Sequence, residues 1–277
     1  MTRLLLLGGG HAHALVLLRF RDFVSENLHV TLVNPGPVHT YSGMVPGVVA
    51  GHYEASDAQI DLARLAARAG VELVQDVVRS LDTGTKQVAL ASGEALRYDV
   101  ASINLGSVPQ GADESAIAVK PFDKFFAHWR VLREEGPKAP RIAVIGAGAA
   151  GVELAMAMKF ALAGQGEVVL FSDRNMFVDA VAERIRNALQ KLAIELRVDT
   201  PAPSAFDAMF RATGASASPL LRESGLKTDE RGFVLVDPCL RSVSHPDVFA
   251  AGDSASLAGA NLPKSGVFAV RQGGGTG

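Results

Sequence analysis

Leu4 to Leu7 is an unbroken apolar run without the polar alternation of a half-exposed strand, so it predicts a strand covered on both faces. Comparable runs stand at Val30 to Val33, Ile142 to Ile145 and Val168 to Phe171. The first and third lead straight into glycines and then into helix-forming stretches, Ala14 to Phe23 and Val152 to Leu162. Between these anchors the pattern predicts an amphipathic helix over Ala58 to Arg68 and strands at Val71 to Val74, Val77 to Leu81 and Gln87 to Leu90. A helix is predicted over Ala180 to Leu192 and a strand over Glu195 to Val198. Tyr98 to Ser107 and Phe206 to Gly214 share a layout, a strand entering a glycine turn, and Pro246 to Asp253 is an apolar strand ending on a carboxylate. Phe122, Phe125, Phe126, Trp129 and Leu132 follow helical spacing and predict core. Pro263-Lys264-Ser265-Gly266 introduces a predicted helix, Val267 to Gln272.

The glycines carry the first chemistry. In Gly146-Ala147-Gly148-Ala149-Ala150-Gly151 the first glycine allows the tight turn, the second lets a pyrophosphate approach the backbone, and the third lets the helix pack closely on the strand. Free N–H groups and the positive end of the helix dipole then face the phosphates. Gly8-Gly9-Gly10-His11-Ala12-His13 is a weaker echo, with His13 where the third glycine belongs. Asn34 follows Gly8 and Ser172 follows Gly146 at the same separation, each at the end of the second strand, where an acidic ribose ligand is usual. A duplicated nucleotide-binding unit explains this repeat, and the fold class is α/β with two Rossmann-like domains.

Composition narrows the setting. The 277 residues are 48% hydrophobic and 20% charged, enough for two cores. A net charge of −2, with no Lys/Arg-rich run, disfavours nucleic acid as a partner. Cys239 is the only cysteine, which excludes an intrachain disulfide, a CxxC pair and zinc-finger spacing, and fits a reducing cytoplasm. Leu4 to Leu7 is far too short for a membrane span, and no transmembrane segment is expected. His11 and His13, two residues apart, do not share a helix face, so no metal is expected. His11 is placed near a phosphate at the helix start and His13 is read as a packing residue. His39 to Gly47 reads as a loop by composition, open both to ligand contact and to a plain surface connection.

Gly8 to His13, Tyr98 to Gly106, Gly146 to Glu153 and Val248 to Asp253 together resemble the two-dinucleotide-binding flavoproteins of the pyridine nucleotide-disulfide oxidoreductase superfamily. The GGGHAH start, YSGMVPG and PKSGVFAVRQG are similar to flavoproteins related to type II NADH dehydrogenases and sulfide:quinone oxidoreductases, most of all the flavoprotein associated with selenide, water dikinase. The resemblance implies a discontinuous FAD-binding domain, 1–119 with 219–277, and an inserted NAD(P)-binding domain, 120–218. It implies cofactor contacts from Gly8, Gly9, Gly10, His11, Asn34, Tyr41 and Pro46, and from Val77, Asn104, Gly106, Gly252, Ser265 and Gly266. Asp253 is expected to hold the flavin ribityl chain. In the second unit Gly146, Gly148, Gly151, Asp173 and Gly214 are the expected NAD(P)H contacts.

The implied reaction is oxidation of NAD(P)H through FAD, with electrons passed to a quinone or another small acceptor without a cysteine relay. A flavin-binding partner module with little turnover, linked to selenium metabolism, is the alternative. Glu153 is read in the first turn of its helix, facing flavin and nicotinamide or simply complementing the dipole. Lys264 is read either as stabilising charge on the reduced flavin or as a surface charge. Asp173 suits a ribose diol and Arg174 a 2′-phosphate, so NADH and NADPH both stay open. The join from Asp199 to Phe206 is short for such proteins, and the chain stops at Gly277 where relatives continue into a region that commonly carries dimer, acceptor or peripheral membrane contacts. A homodimer and peripheral membrane contact are expected through that region.

Overall fold

The computed structural model describes residues 1–20, 27–109, 115–173, 180–200, 202, 205–260 and 272. It divides into two compact units: 1–41, 59–108 and 215–277 form the first, and 42–58 with 109–214 the second.

In the first unit, Thr2–Leu7 pairs in parallel with Leu28–Asn34 on one side and with Val100–Ile103 on the other. Val248–Ala250 and Glu72–Gln75 complete the five-stranded parallel sheet at its two edges. The leucine run lacks alternation because both faces are covered. Leu6 and Leu32 face the helices His11–Arg19 and Leu62–Ala69 through Ala14, Leu17, Ala66 and Ala69. Leu5, Leu7 and Val33 face a second cluster with Val88, Leu90, Phe233 and Val236. Part of that cluster comes from an antiparallel meander, Val78–Asp82, Gln87–Leu90 and Ala95–Arg97.

The helix predicted from Ala58 starts later, at Leu62, because Asp61 takes the cap position and accepts from Arg64 N–H at 2.8 Å. Ala55–Ala58 is a 3₁₀ turn, and Gln59–Asp61 is a short strand paired antiparallel with Val38–Thr40.

The second unit repeats the plan. Arg141–Ile145 lies between Glu167–Ser172 and Ala208–Arg211, with Glu195–Val198 and Ile117–Ala118 at the edges, all parallel. Helices Ala149–Ala161, Phe122–Glu135 and Ala180–Lys191 contribute to its core, in which Leu154, Met158, Phe125 and Trp129 pack with Ile142, Val144, Leu170 and Phe210. The aromatic stripe is core, with Phe125 and Trp129 buried and Phe122, Phe126 and Leu132 packed around them.

Part of the segment read as a loop is helical. Tyr41 ends the first stretch of the first unit, Ser42–Met44 is a 3₁₀ turn, and Val45–Ala50 is an α-helix with Pro46 in its first turn and Gly51 left-handed at its end. Composition misled here because Gly, Pro and Ser mark helix ends as well as loops, while Val45 and Val49, one turn apart, are buried in the core of the second unit. Residues 42–58 therefore group with that unit, whereas the resemblance kept them in the first.

Candidate functional site: two glycine turns at the ends of parallel strands

Both units bring their expected residues to the carboxyl ends of central parallel strands, where the neighbours on either side lead away in opposite directions. That is where open α/β sheets form their ligand crevice. In the first unit Gly8 N–H donates to Val33 C=O at 2.8 Å and Asn104 N–H to Leu7 C=O at 2.7 Å, so the glycine turn, Asn34 and Asn104 are gathered at one edge. Ala251 N–H donates to Ile103 C=O at 2.9 Å, which sets Gly252 and Asp253 beside them. In the second unit Gly146 N–H donates to Phe171 C=O and Ala212 N–H to Ile145 C=O, each at 2.8 Å. Gly146, the Ser172–Asp173 corner and Thr213–Gly214 are gathered in the same way.

Gly8 and Gly146 have φ of 87° and 108°, and a Cβ on either would meet a backbone carbonyl, Asn104 O at 2.5 Å and Ala212 O at 2.6 Å. The two turns therefore need glycine for the same reason. Gly10 and Gly148 each sit at the N-cap with no side-chain cap, leaving the first helical N–H groups for a ligand. Around Gly148 there is open space within 4 Å of where a Cβ would stand, so packing does not demand glycine there, whereas close approach of a phosphate does. This fits a dinucleotide pyrophosphate.

The first turn fits its cofactor by another observation. His11 Nε2 is buried and, among the described residues, has no hydrogen-bond partner; it stands at the first position of the helix, its ring edge-on to Tyr41 at 4.7 Å and to His39 at 5.5 Å. A buried ring nitrogen left unpaired is the exception in proteins and points to a group the ligand-free chain lacks. Burial lowers the His11 pKa, with the Asp253 charge opposing, so the imidazole is favoured neutral. Asp253 accepts from Ser107 Oγ at 3.0 Å, and Ser254 Oγ donates to Gly106 C=O at 3.2 Å, tying the two strand ends together.

Asn34 is 7% exposed, and both ends of its amide are engaged: Oδ1 accepts from Gly9 N–H of the glycine turn at 2.9 Å, and Nδ2 donates to Gly36 C=O in its own loop at 2.7 Å. Tyr41 is 39% exposed beside His11, while Val77 is exposed past the end of the Glu72–Gln75 strand. Pro46 lies in the second unit, in the first turn of its short helix. Glu153 corrects the sequence reading: the helix starts at Ala149, so Glu153 is its fifth residue, exposed and beyond the first turn, where a dipole-complementing acid would sit. Lys264, Ser265 and Gly266, with Arg174 and most of the predicted helix over Val267 to Gln272, lie outside the described residues.

Sequence reasoning missed the contacts that Ser102 makes with His13 and Ser107 with Asp253. Ser102 left a trace, a polar residue in a strand otherwise covered on both faces, but its partner is distant in sequence. Among the described residues no group of three or more His, Cys, Asp or Glu could hold a metal ion, and no helix is long and apolar enough to cross a membrane.

The sequence pattern of the pyridine nucleotide-disulphide oxidoreductases matches residues 2–206 and 199–273. The chain belongs to this family. Its members are FAD-dependent oxidoreductases of NADH or NADPH. The NADH dehydrogenase-like protein YutJ of Bacillus subtilis is 25% identical over 285 residues, covering 93% of this chain and 78% of the relative. The alternative NAD(P)H-ubiquinone oxidoreductase C1 of Arabidopsis thaliana is 24% identical over 326 residues, 94% of this chain and 62% of its own. Among solved structures, the NAD-dependent persulfide reductase from A. fulgidus superposes with a TM-score of 0.84 at 22% identity, over 98% of this chain and 57% of that one. The last two relatives are thus matched over less than two thirds of their length. The expected α/β fold holds, as does membership of the NAD(P)H oxidoreductase superfamily. The matches do not bear on the association with selenide, water dikinase.

Proposed function

We propose that the first unit binds FAD, the second binds NADH or NADPH, and that the protein oxidises the nicotinamide and passes the electrons directly to a small acceptor such as a quinone. The observation that carries this reading is the pair of uncapped helix starts, each behind a glycine turn at the strand ends of its own parallel sheet. Bound FAD supplies the chemistry, accepting a hydride and releasing its electrons to the acceptor. The residues present do the holding. The turn at Gly8 to Gly10 offers backbone N–H groups to the pyrophosphate, His11 Nε2 offers the flavin nucleotide a hydrogen bond, and Asp253 accepts from ribityl hydroxyls. Gly148 leaves the space through which the nicotinamide cofactor reaches the second helix start. Asp173, exposed after the Glu167–Ser172 strand, is the carboxylate we assign to the hydroxyls of a ribose.

A quinone-type acceptor is supported by the named activity of the Arabidopsis relative and by the single cysteine, Cys239, which has no second thiol in this chain with which to form a relay. The test is anaerobic addition of NADH and of NADPH to the purified protein while the oxidised flavin band is followed, with a soluble quinone added afterwards. Loss of the band on nicotinamide addition and its return with quinone are expected. Protein that binds FAD yet keeps its band unchanged with both nicotinamides would favour the partner-module reading instead.

A further inference from the structure

The third glycine of the second turn shows what the first turn lacks. A Cβ on Gly151 would overlap the carbonyl oxygen of Gly146, so in the second unit the helix rests directly on the turn through a bare Cα. His13 occupies the matching position in the first unit and makes that contact impossible. The Gly8 carbonyl, counterpart of Gly146, is met by the imidazole instead: His13 Nδ1 lies 2.6 Å from Gly8 O. Since a carbonyl oxygen only accepts, Nδ1 carries the proton, Nε2 is the acceptor, and Ser102 Oγ donates to it at 2.8 Å. Ser102 stands opposite Leu6, whereas the equivalent place in the second sheet, opposite Val144, holds Phe210. Histidine over serine thus replaces glycine over phenylalanine, two exchanges that compensate each other.

We propose that His13 is a positioning residue for the flavin nucleotide: its ring holds the Gly8 to Gly10 turn at a fixed height above the helix start and so aims the backbone N–H groups and His11 at the pyrophosphate. The ring is 2% exposed with both nitrogens engaged, and burial pushes its pKa down to about 4, which keeps the neutral tautomer that this geometry requires. Asn104 extends the brace. Its Oδ1 lies 3.5 Å from the His13 N–H and its Nδ2 donates to Ala251 C=O at 2.9 Å, so the same assembly reaches the strand end that carries Asp253. The groups bonded to the ring are the Gly8 carbonyl and the Ser102 hydroxyl, both neutral, while the neutral Asn104 amide meets the His13 backbone.

The proposal rests on the first unit being the FAD site, so the experiment begins with the parent. FAD is titrated into apoprotein, with its fluorescence quenching giving the dissociation constant, and the unfolding midpoint of each apoprotein is measured separately. His13→Leu keeps bulk but loses both hydrogen bonds, and we expect the dissociation constant to rise about tenfold or more, consistent with loss of about one hydrogen bond's worth of orientation. His13→Gln can still donate to Gly8 C=O and should recover affinity to within about threefold of the parent. Ser102→Ala, which removes a single hydroxyl and folds even if His13→Leu does not, should raise the constant about threefold. Affinities that merely track apoprotein stability, with Gln no better than Leu, or a Ser102→Ala protein with parental affinity, would overturn the positioning role. A parent that takes up no FAD would overturn the reading of the first unit itself.

Discussion

The two glycine turns share a backbone and differ in what surrounds it. At the second, Gly151 rests its Cα directly on the Gly146 carbonyl with the Ala212 methyl beside it, and the space where a Cβ on Gly148 would stand is open. The first is laced by side chains, with Asn34 on Gly9 N–H, His13 on Gly8 C=O, Ser102 on His13 and Asn104 on Ala251 C=O. At Gly10 the room that stays open over Gly148 is filled by the Asn104 side chain, whose Oδ1 a Cβ would overlap. A laced turn is fixed before any ligand arrives, which suits a cofactor that stays; an open one suits a cofactor that must come and go. The difference teaches that one glycine-turn design can seat its helix through a bare Cα in one unit and through a hydrogen-bonded imidazole in the other.

The comparison is broken hardest at Gly151. Adding a methyl there forces it into the Gly146 carbonyl, and we expect Gly151→Ala to destabilise the second unit by about 3 kcal/mol, at the upper end of overpacking effects, as read from urea unfolding. An undamaged Gly151→Ala protein would mean that the second turn is not held by close packing.

Acid should act on the first turn. His13 titrates near 6.5 when unfolded and at about 4 when folded, so between these values the unfolded chain binds the extra proton. Its stabilising contribution is therefore complete above about pH 6.5 and declines as pH falls toward 4, by on the order of 3 kcal/mol. Denaturant unfolding of the parent and of His13→Gln across this range should show a steeper acid loss in the parent. Parallel curves would place the ring in contact with solvent or with a charge.

Asp253→Ala should weaken FAD retention by about 1 to 3 kcal/mol, because it removes the carboxylate proposed to accept from the ribityl hydroxyls. Equilibrium dialysis measures this directly, and parental affinity would remove Asp253 from the flavin site. The smallest effect on the fold is expected at Gly148. Gly148→Ala should cost less than about 1 kcal/mol of stability, since the methyl enters open space at an ordinary φ of −68°, yet should weaken NAD(P)H binding about tenfold. Unchanged nicotinamide affinity would show that the pyrophosphate passes elsewhere.

Much of the fold was legible in the sequence. The non-alternating runs at Leu4 to Leu7 and Ile142 to Ile145 announced strands covered on both faces, and the matched glycine spacing announced the duplication. The geometry of the candidate site was legible where it is made of backbone, as at the Gly146 turn and the Gly148 helix start. It was illegible where side chains meet across the sheet: Ser102 reaches His13, and Asn104 reaches Ala251, over sequence separations that no local pattern encodes. Val45–Ala50 was lost for another reason, since Pro46 and Gly51 bound a helix as readily as they bound a loop, and only burial of Val45 and Val49 decides between the two.

The order in which the strands are synthesised differs from the order in which they are joined. The first sheet takes its edge strand, Val248–Ala250, from the far side of the whole 109–214 stretch, while every strand of the second sheet lies between Ile117 and Arg211 in the chain. On the ribosome, with growth at roughly 5 to 20 residues per second, the second unit has its full sheet some seconds before the first can close. The nascent first unit meanwhile exposes the Val100–Ile103 edge to unwanted pairing. Gly252 and Asp253 follow one residue after the strand that seals that edge, so protection of the sheet and the placing of the Asp253 carboxylate arrive in the same few residues of translation.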